Sequence, residues 1–511
     1  MKEKFIFSLF TNLSSNVLIL ISTYLLALNL NVNLLGIWVL LNSVVNLGFM
    51  FLDVGFDLLY YQYSGKKDVS EYIGTYFFLK IFLVIFNIIT AFIIAVLIAM
   101  TLPTIQSWIN EFLIYFSLLL ISKILYSINN IFLVLLKGKI KVFKSNIPTF
   151  LNLIGKSLAI LYLALNLATI PNPILFICIS NLIFDALSLI LVVVFSKNEF
   201  KINKPKKKLI SLYLRDSKYL ILSSIVMVIS NNLGNILVDY FFGHETLAYF
   251  GLINTYIIPT LLLISGSFIT IYTPLFSQYL EKNDYNSINF ILYKIEKYLS
   301  IIYLIFIIIV FLNAKLIFSI ALPNYLNSVF ILYFLIFLPY IIGIARHYPY
   351  LLIAGKKQDL SANINSLRSF LTIILMLIFI PNQLFSIPLL GWGIYGYALA
   401  QIIPYIIWNY INRYYSFKYY RIHFQKKLIL HALLAAIAII ICFPIKEFIL
   451  KPIIINPFLQ LIISLLVSVM VFLTLLFIFK QLNKEDLRFF KELFILKNYT
   501  FSLKEEFSNE S

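Results

Sequence analysis

From end to end the chain alternates long apolar runs with short polar interruptions. A helix needs about 20 mostly apolar residues to cross a bilayer. Fourteen stretches meet that length: roughly 8–29, 36–58, 74–100, 112–136, 146–169, 173–196, 219–242, 247–277, 298–320, 328–354, 361–381, 391–412, 428–445 and 455–479. The pattern predicts an all-α polytopic membrane protein with about fourteen transmembrane helices. The first run is long and no small-residue cleavage site follows it, so it reads as a span and not as a signal peptide. The interruptions are too short for a sizeable soluble domain. Only the basic segment 197–218 and the tail 481–511 stand apart, and the tail mixes Leu and Phe with Lys and Glu as an interfacial or cytoplasmic helix does.

Composition sharpens this picture. Of 511 residues, 61% are hydrophobic and 12% charged, against about 25% charged in ordinary soluble domains. A soluble enzyme, a disordered scaffold and a nucleic-acid-binding protein are excluded together. The 40 basic and 22 acidic residues give a net charge of +18, and the positions of the bases explain it. If the N-terminus and every second loop define one side, that side holds 32 bases, including Lys66, Lys67, the run from Lys197 to Lys218, and Arg413. The other side holds three, Lys315, Lys446 and Lys451, and five lie within spans. Such asymmetry marks the cytoplasmic side, so both termini are expected there. Cys178 and Cys442 lie in apolar runs, the four histidines make no metal-ligand spacing, and there is no Gly-rich phosphate loop. No cofactor is implied.

An internal repeat divides the chain. LGIWVLLN (Leu35–Asn42) recurs as LAYFGLIN (Leu247–Asn254), and GKKD (Gly65–Asp68) as EKND (Glu281–Asp284). Gly138-Lys139 with Asn146-Ile147 mirrors Gly355-Lys356 with Asn363-Ile364. The matches fall at equivalent places, which predicts two six-helix lobes. Six is even, so the lobes form a parallel pseudo-twofold repeat about the membrane normal. The expected organisation is an N-lobe over 1–196, a basic linker over 197–218, a C-lobe over 219–412, two further spans within 413–480 and the tail over 481–511. Two such lobes suit alternating access.

Particular segments then carry a resemblance. FLDVGFDLLYYQYSGKKD (Phe51–Asp68), LVDYFFGHETLAYF (Leu237–Phe250), LLGWGIYGYALAQ (Leu389–Gln401) and LNKEDLRFFKEL (Leu482–Leu493) resemble Wzx-type polysaccharide flippases. These belong to the multidrug/oligosaccharidyl-lipid/polysaccharide exporter superfamily. The resemblance covers essentially the whole chain, and its motifs are loose. It implies translocation of an undecaprenyl-pyrophosphate-linked oligosaccharide repeat unit, of O-antigen or capsule type, from the inner to the outer leaflet of the bacterial cytoplasmic membrane. It implies membrane lipids, a polysaccharide polymerase and glycosyltransferases as partners, and no nucleic acid.

Ionisable groups in hydrocarbon are costly and mark function or mutual pairing. The bases in question are Lys80, Lys123, Lys156, Arg346 and Arg368; the acids are Asp53, Asp57, Asp185 and Asp239. A pyrophosphate headgroup needs compensating cations, with Arg offering a bidentate fork and Lys a point charge, so the five bases are candidate substrate ligands. Two other readings stay open: Lys156 or Lys123 pairs with Asp185 and ties helices together, and Lys80 snorkels to the interface. Asp53 and Asp57, at i and i+4, favour pairing with the basic loop at Lys66 and Lys67. Asp239 is the better candidate for a proton or cation. Asn12, Asn16, Asn231, Asn232 and Asn235 could meet sugar hydroxyls or bond between helices. The competing functions are a cation-coupled multidrug or metabolite exporter of the same superfamily and a polytopic polymerase or glycosyltransferase. The short outer loops offer the last no paired-carboxylate site.

Overall fold

Peptide groups in hydrocarbon find no water, so a chain this apolar must satisfy them internally. In the computed structural model it does so as helix. The structure describes residues 2–52, 54–63, 69–139, 141–197, 199, 202–384, 386–483 and 486. The long helices are α1 (Lys2–Asn29), α2 (Val32–Gly48), α3 (Val69–Thr101), α4 (Ile109–Gly138), α5 (Val142–Leu165), α6 (Pro173–Ser196) and α7 (Lys218–Gly251). They continue as α8 (Ile258–Glu281), α9 (Tyr285–Ala321), α10 (Ser328–Ala354), α11 (Gln358–Phe379), α12 (Gly393–Tyr420), α13 (Lys427–Pro444) and α14 (Pro457–Ile478). Helix therefore runs through most of each apolar stretch. Among the described residues, ten helical stretches are long and apolar enough to cross a membrane by length and composition, and Val17–Asn29 and Val32–Gly48 are shorter apolar helices. The only β-structure among the described residues is a hairpin pairing Gln383–Leu384 with Ile387–Pro388, between α11 and α12.

The helices are dressed for lipid. On α3, Phe82, Ile85, Ile89, Phe92, Val96 and Met100 follow one another at steps of three and four and are all exposed. The opposite stripe, Lys80, Val84, Asn87, Ala91 and Ala95, is buried. Large apolar groups face outward and small or polar ones inward, as expected where lipid replaces water and helices attract by close packing.

Contacts group the helices into two units. One comprises Met1–Gly251 with Ala362–Ala400; the other comprises Leu252–Ser361 with the described residues from Gln401 onward. These boundaries differ from those read from the repeat. In the first unit α2 packs along α7, α4 along α6, and α5 on both α1 and α6; in the second, α9 packs on α13 and α14, and α8 on α10.

Span two departs from expectation. The run 36–58 predicts a continuous helix, but α2 ends at Gly48, and a short helix, Phe56–Tyr63, follows Gly55 at φ 84°. The backbone groups freed by the break are taken up by α3. Thr90 Oγ1 donates to the Gly48 carbonyl at 2.6 Å, Asn87 Oδ1 accepts from the Phe51 N–H at 3.1 Å, and Lys80 Nζ donates to the Leu52 carbonyl at 2.8 Å. A broken helix survives where neighbours satisfy it. Asp53, beside the break, lies outside the described residues, as do Lys66 and Lys67.

Elsewhere, α7 kinks at Gly243 (φ 80°, ψ 172°), where the sequence reads as a gap between spans seven and eight. A π-helical turn, Leu252–Ile257, precedes Pro259. Three short helices build α10, breaking at Ile336 and Arg346, and Pro339 lies in the middle one. Pro404 sits inside an uninterrupted α12.

Several bases that read as loop anchors are tied to acids. Lys144 and Lys141 lie 2.8 and 3.5 Å from the Glu199 carboxylate. Burial opposes that charge, but the two ammoniums hold the Glu199 pKa below the usual carboxylate value. Asp486, the one described residue of the tail beyond 483, accepts from Lys297 Nζ at 2.7 Å and the Tyr298 hydroxyl at 2.8 Å.

Gly36 shows how closely α2 and α7 approach: a Cβ there would lie 1.9 Å from the His244 carbonyl oxygen. Gly36→Ala is expected to lower stability by about 1–3 kcal/mol through overpacking. It should be seen as a lower thermal unfolding midpoint of detergent-purified protein, and an unchanged midpoint would contradict the close contact.

Candidate anion-binding site

Within the first unit, α2, α4, α5 and α6 line a partly open cavity of about 180 Å³. Its polar lining comes in helical pairs. Asn42 and Asn46 stand at i and i+4 on α2, Ser122 and Lys123 lie on α4 with Tyr126 one turn on, Lys156 is on α5, and Asn181 and Asp185 stand at i and i+4 on α6. Gly155 lets α5 meet α6, since a Cβ there would lie 2.2 Å from the Phe184 ring.

Asp185 is 2% exposed and fully engaged. Its Oδ1 accepts from Lys156 Nζ at 2.7 Å and Asn152 Nδ2 at 2.9 Å, and its Oδ2 accepts from Ser122 Oγ at 2.5 Å. One carboxylate thus joins α4, α5 and α6, the buried-pair arrangement in which each charge needs its partner. Lys123 is placed differently. Its Nζ donates to Asn46 Oδ1 at 2.9 Å and lies 5.4 Å from the Tyr126 ring centroid, and it makes no ion pair among the described residues. Lys123 and Lys156 thus share the cavity with a single carboxylate, Asp185. The volume is large enough for a phosphate-sized group.

The other candidates are not brought to this cavity. Lys80 is 1% exposed, so it does not snorkel; it pairs with Asp57 at 2.7 Å as well as closing the α2 break. Asp57 also accepts from the Tyr76 hydroxyl at 2.7 Å. Arg368, on α11, is 8% exposed and donates through Nη2 to Ser369 Oγ at 2.9 Å. In the second unit, Arg346 sits at a break of α10 and donates through Nη1 to the Leu262 carbonyl at 3.2 Å. Asp239, on α7, is fully buried: Oδ2 accepts from Thr104 Oγ1 at 2.9 Å, and Oδ1 is 2.5 Å from His244 Nδ1, whose ring lies against Trp108.

Sequence reasoning missed Asn46, Asn152, Ser122 and His244. The i, i+4 amides on α2 were a usable signal; the Asp239–His244 approach was not, because it depends on the Gly243 kink. Of the amides considered for sugar contact, Asn235 donates to Ser43 Oγ at 2.8 Å and Asn232 to the Val228 carbonyl at 2.8 Å, while the side chains of Asn12 and Asn16 lie outside the described residues. Arg413 reads as a loop anchor, but α12 runs on to Tyr420. The guanidinium therefore lies within the second unit, donating to Glu296 Oε1 at 2.6 Å and the Tyr348 hydroxyl at 3.2 Å.

The fold matches those of known membrane transporters. Lipid II flippase MurJ in an inward closed conformation is similar with a TM-score of 0.68 at 17% identity, over 92% of this chain and 98% of that one. An inward-facing multidrug resistance MATE family transporter of the MOP superfamily gives 0.62 at 13% identity, over 80% and 98%. A MOP superfamily transporter from Pyrococcus furiosus gives 0.61 at 12% identity, over 82% and 95%. The chain is thus a multi-pass membrane protein with an all-α transporter fold. Residues 25–329 match the family described as polysaccharide biosynthesis protein, and the chain belongs to that family. No curated protein matches its sequence.

If the Asp185 pair is a structural tie, Asp185→Ala should destabilise the protein by about 1.5–3 kcal/mol, because Lys156, a quarter exposed, loses a charge-assisted partner. Lys156→Met with Asp185→Leu should recover most of that loss. Thermal unfolding of the purified variants decides; a double variant as unstable as the single one would refute the pairing.

Proposed function

We propose that this protein is a Wzx-type flippase. It carries undecaprenyl-pyrophosphate-linked oligosaccharide repeat units from the inner to the outer leaflet of the bacterial cytoplasmic membrane by alternating access between two six-helix lobes. The observation that carries this reading is Lys123, an ammonium inside the helical bundle without a carboxylate partner, set among amides and a tyrosine. A charge left uncompensated in low dielectric attracts an anion strongly, and a cavity of this size takes the phosphates while the sugars and the polyprenyl chain stay outside it. Membership of the polysaccharide biosynthesis family supports the cargo class, and the likeness to a lipid II flippase supports a lipid-linked one. Arg346 and Arg368 are proposed as further phosphate ligands, each through its guanidinium fork. Lys156, held by Asp185, shapes the site more than it charges it. A polysaccharide polymerase and glycosyltransferases are the proposed functional partners.

Lys123→Gln is expected to abolish surface polysaccharide at an unchanged membrane level of the protein, and Arg346→Ala and Arg368→Ala should each do the same. Measured with purified protein, undecaprenyl pyrophosphate binding should weaken by at least tenfold in Lys123→Gln, since a charge-assisted bond contributes about 1.5–3 kcal/mol. Normal polysaccharide in all three variants would overturn the reading.

A second reading, a cation-coupled exporter, draws on Asp239. This carboxylate is fully buried and faces His244 and Thr104, which makes it the proposed coupling residue, and coupling to a gradient serves a flippase equally well. Asp239→Asn should remove the response of transport in proteoliposomes to an imposed ion gradient. Unaltered gradient dependence would exclude Asp239 from coupling.

A further inference from the structure

The basic linker has a defined shape. Residues 202–206 run as coil and Lys207–Asp216 form a helix that leads into α7. The segment is fastened to the first unit at three places. The Asn203 carbonyl oxygen lies where a Cβ on Gly74 would meet it at 1.9 Å, so only glycine fits under the coil. The Lys206 N–H donates to Thr75 Oγ1 at 3.2 Å. Tyr213 is fully buried in the cluster containing Leu59, Tyr60 and Tyr76, with Phe56 edge-on at 5.8 Å. These contacts are made with the first turns of α3 and the short helix Phe56–Tyr63, at the membrane end that carries the basic loops.

Docking through Tyr213 fixes which face points away. Lys207, Lys208, Ser211, Leu214, Arg215 and Lys218 are all exposed and form one stripe at helical spacing. Arg215 is 75% exposed and its neighbour Asp216 is the one acid beside the stripe, at 3.0 Å; Lys207 and Lys208 make no ion pair among the described residues. Leu214, 49% exposed, stands between the bases, and Ile202 and Tyr219 are exposed nearby. An apolar side chain among exposed bases, four cations against the single carboxylate of Asp216, is complementary to a headgroup layer that is negative at its surface and apolar beneath.

We infer that the stripe Lys207, Lys208, Leu214, Arg215 and Lys218 is a docking surface for anionic phospholipid headgroups of the leaflet on the basic-loop side. The bases meet the phosphates and Leu214 enters the acyl boundary. Because the helix is fastened to α3 through Tyr213 and Thr75, lipid charge acts on the first unit itself and not on a loose tether. This property is independent of which cargo the cavity takes.

The test uses the full chain in detergent, analysed by native mass spectrometry after addition of phosphatidylglycerol or phosphatidylcholine. Wild type should retain phosphatidylglycerol in preference. Lys207→Gln, Lys208→Gln, Arg215→Gln and Lys218→Gln together should reduce that retention by about five-fold per charge removed at low salt. The same four positions as Lys207→Arg, Lys208→Arg, Arg215→Lys and Lys218→Arg should keep it. All four side chains are exposed, and the pair Lys207→Gln with Lys208→Gln repeats the measurement should the fourfold variant lose thermal stability. Equal retention by wild type and both Gln variants would overturn the inference. So would displacement of phosphatidylglycerol from wild type by an equal concentration of inorganic pyrophosphate, which would mark a phosphate site and not a lipid surface.

Discussion

A polar group inside hydrocarbon has no water to fall back on, and the architecture follows from that single constraint. It makes the chain helical throughout its apolar stretches, and it dictates what happens wherever a helix stops within them. At the end of α2 the broken backbone is met in turn by Thr90, Asn87 and Lys80, all projecting from one face of α3. The same constraint shapes the ionisable groups. Asp185 has three donors, Asp57 has Lys80 and Tyr76, Asp239 has Thr104 and His244, and Glu296 has Arg413 and Tyr348. Lys123 is held differently, its ammonium donating to the Asn46 amide and lying near the Tyr126 ring.

Small residues make these pairings possible. A salt bridge at 2.7 Å between α5 and α6 needs the helix backbones close, and Gly155 against Phe184 supplies the room. Gly36 does the same for α2 and α7, bringing α2 against the His244 backbone beside Asp239. With no hydrophobic drive between helices in lipid, such close packing and the polar contacts it permits carry association. The glycines and the buried charges are therefore one design, with the glycines setting the distances at which the charges meet.

Much was legible beforehand. Length and hydropathy located the long helices in outline, because the thickness of the bilayer imposes a scale on the chain, although the second stretch breaks at Gly48. Charge asymmetry along the loops indicated an orientation. The ionisable residues inside spans could be listed from the sequence, but the list left out Glu296 and Arg413, which the structure buries against each other. It also lacked partners. Lys80 read as a substrate ligand or a snorkelling chain, and it instead closes a helix end and neutralises Asp57. Arg413 read as an anchor in solvent because span twelve was drawn as ending one residue before it, whereas α12 continues for two more turns and buries the guanidinium beside Glu296. His244 had no sequence signal at all.

By itself, then, the sequence determined that this is a polytopic helical protein and roughly where its long helices lie. Those properties depend on local composition and on the solvent, and both are written in order along the chain. The tertiary structure alone decided which charged side chains meet one another. That depends on distances of a few ångström between helices far apart in sequence, such as the 2.7 Å from Lys156 to Asp185. Coulomb energy at low dielectric changes steeply over such distances, and no one-dimensional pattern encodes them.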